Sequence, residues 1–89
     1  MNPFIIRYGD RTFRINDFDE AKVILTDNNV TDFYDDAIYT WYLVVFSKDR
    51  SYRIITYAYS DNKLNAYCNL INSAFEKGRY KVSLKKIRP

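Results

Sequence analysis

"SDNKLNAYCNLINSAFEKGRYKVSLKKI", residues 60–87, changes its period partway through, and that change decides the fold. In its first part Leu64, Tyr67, Cys68, Ile71, Ala74 and Phe75 recur at three- and four-residue steps, the spacing of one face of an α-helix. Ser60 or Asp61 can cap the start through a side-chain oxygen, and Gly78 can close the end in the left-handed conformation that other residues avoid. Beyond it Tyr80, Val82 and Leu84 alternate with Arg79, Lys81, Ser83 and Lys85, the period of a half-buried strand. The pattern predicts a helix covering a sheet whose last strand is oily on one face and basic on the other.

Working outward, Phe4 to Tyr8 and "RTFRI" flank Gly9-Asp10, a two-residue hairpin with Gly at its first position. Asp17 and Glu20 then have the spacing of a capping box, ahead of Phe18, Ala21, Ile24 and Leu25 at helical intervals. This predicts a first helix over about residues 17–27, ending at Asn28-Asn29. "SKDRS" separates the aromatic and β-branched run from Tyr39 to Phe46 from "YRIITYAYS", so a second hairpin joins residues 39–47 with 51–59. The expected order is ββαββαβ, a single small α+β domain over residues 1–89. Its architecture would be a two-layer sandwich, a mainly antiparallel sheet with two helices on one face.

The composition agrees with a folded chain: 47% of its 89 residues are hydrophobic and 18% aromatic, and large rings contribute more burial each than aliphatic side chains. Cys68 is the only cysteine, so no internal disulfide forms. "MNPFIIRYGDR" reaches a charge early, offers no export signal and nothing approaches a membrane span, so a soluble, cytoplasmic protein is expected. The net charge of +3 conceals an asymmetry: residues 1–46 hold four Lys/Arg against eight Asp/Glu, residues 47–89 ten against three.

Several chemistries are disfavoured outright. With no histidine the chain lacks the usual general base and the commonest metal ligand, and one thiol cannot build a thiolate metal site. Asp35-Asp36 are adjacent and point apart in any regular structure, which reads as solvated charge rather than a catalytic pair. Cys68 falls on the apolar stripe of the helix, where a small buried hydrophobe is expected instead of a nucleophile. No catalytic residue, cofactor or metal is therefore assigned, and an enzyme is not expected.

Two binding surfaces remain. "TDNNVTDFYDDAIYTWY", residues 26–42, is acidic and ring-rich at once, and Asp32, Phe33, Tyr34, Asp35, Asp36 and Tyr39 form a candidate protein-binding loop. Its aspartates would steer a basic partner, such as a nucleic-acid-handling assembly, and a small inhibitor or adaptor of phage or mobile-element type suits such a chain. The structural alternative is that Phe33, Tyr34 and Ile38 fold down as a lid over the core.

The second surface is a basic sheet face carrying Arg79, Lys81 and Lys85, with Arg50, Tyr52 and Arg53 on the central hairpin. It would bind RNA or single-stranded DNA. A charged edge strand that discourages aggregation is the alternative meaning of those lysines. A homodimer formed by an opening or closing strand across a two-fold axis stays open.

The β-α-β-β-α-β order of the core resembles RNA-recognition-motif domains. "GRYKVSL" at residues 78–84 is similar to their final strand, and "RSYRIITY" at residues 50–57 to their third-strand signature. The resemblance implies bases stacked on strand aromatics and carries over Tyr52 alone. Ser51, Arg53 and Ile54 depart from the pattern, and neither "FIIRY" nor "RTFRI" fits the first strand.

Overall fold

Gly9 sets the first turn. Its φ of +59 at the leading loop position is the geometry that a two-residue hairpin needs, and it pairs β1 (Phe4–Tyr8) with β2 (Arg11–Ile15) from Tyr8↔Arg11 to Phe4↔Ile15. The computed structural model describes residues 3–31 and 37–88, with residues 27–31 and 37–38 described by backbone alone.

The expected first helix is a strand. β3 (Phe18–Thr31) runs antiparallel to β4 (Ala37–Ser47), and β4 pairs antiparallel with β5 (Tyr52–Ala58). Asp17 is no helix cap: it sits at φ 53 in a left-handed turn, and its carbonyl accepts from the Lys48 N–H at 2.9 Å. The helical spacing has a specific origin. The β3–β4 register shifts between Phe18 and Glu20, so Asp19 is an extra residue and Phe18 and Ala21, three apart, are both buried in the core. Past the bulge, β-branched Val23 and Ile24 suit a strand, and pairing with β4 overrides the capping-box pattern.

α1 (Asn62–Glu76) is the one helix of the described residues, and it forms as its stripe predicts. Asp61 is its N-cap residue, though its carboxylate makes no capping bond to the backbone. At the other end Gly78 adopts φ +77, its N–H donates to the Phe75 carbonyl and the Arg79 N–H to the Ala74 carbonyl, both at 3.0 Å. This crossed pair is a Schellman closure, which satisfies carbonyls the helix leaves over. The chain then enters β6 (Lys81–Leu84), which pairs parallel with β1.

The order is therefore βββββαβ, in two three-stranded sheets, β2-β1-β6 and β3-β4-β5, with one helix. The α+β class stands; the ββαββαβ order with two helices on one face of a single sheet does not. Because the first helix is absent, the likeness to RNA-recognition-motif domains ends at the final strands.

One core joins the pieces, made of Phe4, Ile6 and Tyr8 of β1, Phe13 and Ile15 of β2, Leu43 and Val45 of β4, Ile55 of β5 and Leu64 and Ile71 of the helix, among others. Burying a side chain such as Ile71 in full contributes about 1.5–3 kcal/mol. Phe4, Phe18 and Phe75 meet at centroid distances of 4.7, 5.7 and 4.8 Å, which ties both sheets to the helix. The Tyr8 hydroxyl accepts from the Ile87 N–H at 2.8 Å and from the Thr56 hydroxyl at 3.1 Å, and donates to the Ile87 carbonyl at 3.3 Å. Among the described residues no helix is long and apolar enough to cross a membrane.

Candidate interaction surfaces

A second bulge decides which rings reach water. In the β4–β5 pairing Leu43 faces Thr56 but Val44 faces Ile54, so Ile55 is extra. Ile55 is buried, and neighbouring Thr56 also turns inward to bond Tyr8. The parity of β5 flips there: Tyr52 and Ile54 point outward before the bulge, Tyr57 and Tyr59 after it, and Ala58 is buried.

The outward rows of the three strands thus form a continuous apolar face. Tyr42, Val44 and Phe46 lie along β4, flanked by Ile24 of β3 and by Tyr52, Ile54 and Tyr57 of β5. Tyr52 is 61% exposed, Ile54 46% and Tyr57 42%. The rings pair across strands, Tyr42 with Tyr57 at 6.3 Å and Phe46 with Tyr52 at 6.1 Å, while Tyr57 meets Tyr59 at 6.1 Å. An open groove of about 380 Å³ runs between Ile24, Thr26, Tyr42, Val44, Phe46, Tyr52 and Ile54. Charge gathers at its β3 side, where Lys22 and Glu20 form an ion pair at 3.3 Å, and at the turn end, where Lys48 and Arg50 lie beside Phe46. Their aromatic and β-branched content marked β4 and β5 as strands in the sequence, whereas Ile24 reads there as helical, and which residues of β5 face out depends on the bulge.

The basic residues named from the sequence belong to two different sheets. Arg50, in the β4–β5 turn at φ 72, and Arg53 of β5 lie in the β3-β4-β5 sheet, whereas Lys81 is in β6, with Arg79 and Lys85 on either side of it. No single face carries all of them. Arg53 has a packing role instead: it and Arg11 place their guanidinium groups over the Phe13 ring, at 5.3 and 4.9 Å from its centroid, and the ring is 2% exposed. Tyr52, the residue carried over by the resemblance, lies on the apolar face and not among the cations. Tyr80 is exposed although Val82 and Leu84, in step with it, turn inward.

Of the acidic loop, Asp32, Phe33, Tyr34, Asp35 and Asp36 lie outside the described residues. Tyr39 is exposed on β4, opposite Asp27 in register. Cys68 is half-buried, and its thiol donates to the Ala21 carbonyl at 3.1 Å. Burial and then the Glu20 charge push its pKa up, which keeps it protonated and weak as a nucleophile. Among the described residues no three His, Cys, Asp or Glu side chains come together as a metal site. No protein family, curated protein or solved structure matches this chain.

Proposed function

We propose that the protein is a non-enzymatic protein-binding module, an inhibitor or adaptor, that docks through the outer face of the β3-β4-β5 sheet. One observation carries this reading: Tyr52, Ile54 and Tyr57 stand exposed beside Tyr42 and Phe46 on one apolar surface. Soluble chains seldom leave large contiguous apolar patches open unless something covers them, and tyrosines supply interface area at low entropic cost. The aspartate-rich stretch with Asp32, Phe33, Tyr34, Asp35 and Asp36 joins β3 to β4 in the sequence, and Tyr39 lies on β4 itself, the central strand of this face. Its charge selects a basic partner, and nucleic-acid-handling assemblies have that chemistry.

The test is a photo-crosslinking phenylalanine analogue at Tyr57 in the cells that make the protein. A specific crosslink to one basic protein is expected, and Tyr52→Ala weakens that complex about 30-fold if the ring is a hot spot worth about 2 kcal/mol. Absence of any specific crosslink, or undiminished affinity in a folded Tyr52→Ala/Ile54→Thr variant, removes the reading.

A further inference from the structure

We propose that the outer face of the other sheet, β2-β1-β6, binds the phosphate backbone of a nucleic-acid duplex without reading its sequence. Residues paired across strands share one side of a sheet. Phe4, Ile6 and Tyr8 are buried, so Ile5 and Arg7 take the outer side of β1. The register then places Arg14, Ile5 and Lys81 in one row across the sheet and Thr12, Arg7 and Ser83 in the next. All of these except the half-buried Ile5 are exposed.

The face therefore presents three cations and two hydroxyls, the groups that hold phosphate oxygens. Neither row contains an aspartate or glutamate, and the one ion pair of the described residues, Lys22 with Glu20, belongs to the other sheet. With strands about 4.8 Å apart, Arg14 and Lys81 are anchored about 10 Å from each other, and Arg7 projects one pleat repeat, about 7 Å, further along the central strand. A duplex carries about one negative charge per 1.7 Å of its axis, so a patch of this width meets several phosphates at once.

Neither row carries a ring, and Tyr80, exposed just before β6, is in step with the inward-turning Val82 and Leu84. Tyr52 and Tyr57 stand on the other sheet, so the base stacking that holds single strands is missing here, and a duplex is the occupant. Arg7 and Arg14 were invisible as partners of Lys81 in the sequence because the pairing of β6 with β1 is not local. This surface is separate from the apolar face, and either can fail without the other.

Fluorescence anisotropy with a labelled mixed-sequence duplex of about 20 base pairs tests it. Three phosphate contacts predict a slope of about −2.7 in log affinity against log salt, a loss of about 40-fold between about 50 and 200 mM. Arg7→Gln/Arg14→Gln/Lys81→Gln should abolish that binding. The single variants Arg14→Gln and Lys81→Gln should each flatten the slope by about 0.9. Lys48→Gln/Lys63→Gln/Lys77→Gln, which removes equal charge from exposed positions elsewhere, should retain the wild-type slope. The proposal is overturned by absence of wild-type binding at the lower salt, or by equal losses in the two triple variants. Tighter binding to a single strand or to phosphatidylserine vesicles than to the duplex overturns it as well.

Discussion

The Asn72 side chain pairs with the backbone of Ala21 as a neighbouring strand would: the Ala21 N–H donates to Oδ1 at 2.8 Å, and Nδ2 donates to the Ala21 carbonyl at 3.1 Å. Ala21 lies on β3, an edge of its sheet, so a helix residue occupies the backbone groups that point away from β4. Cys68 adds its thiol to the same carbonyl. Edge strands with open backbone groups invite pairing with other chains, and this contact blocks the position.

Asn72→Ala should therefore do two things. It leaves a partly buried N–H without its partner, costing about 1–3 kcal/mol in urea denaturation. It also reopens the β3 edge, so concentration-dependent association should appear in size-exclusion chromatography. A destabilised variant that stays monodisperse would show that the edge is protected by other means.

Tyr8→Phe removes the hydroxyl that receives the Ile87 N–H and the Thr56 hydroxyl in a buried setting, and about 1–3 kcal/mol of stability should go with it. Tyr67→Phe is the comparison, because its hydroxyl donates to the Lys85 carbonyl at an exposed site, 2.7 Å away. That loss should stay at about 1 kcal/mol or below, since water replaces the bond. Equal losses would mean that burial is not what makes the Tyr8 contact count.

The two glycines separate conformational cost from steric cost. A Cβ at Gly78 meets nothing within 4 Å, so Gly78→Ala should cost only the left-handed backbone penalty, about 1–2 kcal/mol. At Gly9 the same φ problem is joined by the Lys86 Cβ at 3.2 Å. Gly9→Ala should melt at a lower temperature than Gly78→Ala, and the reverse order would refute the turn geometry.

Cys68 makes stability depend on alkaline pH. Its folded pKa is raised by burial and by Glu20, so the folded state holds the thiol proton longer than the unfolded chain does. Its contribution is complete below the unfolded thiol pKa, near 9.0, and is lost as pH rises through the folded value. Denaturation midpoints taken from pH 8 upward should fall more steeply for the wild type than for Cys68→Ser. Parallel curves would show that the thiol is no more protonated in the folded state.

Much of the fold was legible in the residues themselves. Periodicity located the helix and β6, short runs flanking Gly9-Asp10 located β1 and β2, and Gly9 and Gly78 marked turns that need positive φ. β3 has a helical signature in the sequence because the bulge at Asp19 sets two core-facing residues, Phe18 and Ala21, three apart. The surfaces were legible as strand faces but not as sites. The sequence places rings and cations in neighbouring strands, and only the assignment of β5 and β6 to different sheets shows that one face is apolar and another basic. Such pairing is set by contacts between distant segments, which no local window records.

The place of β1 in the middle of its sheet has a consequence for biosynthesis. One of its flanks is closed at once by β2, but the other waits for residues 81–84, made long after the strand has left the ribosome. During that interval the nascent chain carries an unsatisfied strand flank beside Phe4, Ile6 and Tyr8, the kind of surface that chaperones shield and that seeds aggregation. A ribosome stalled near Gly78 would hold a polypeptide whose helix residues are made but whose β2-β1-β6 sheet is unfinished.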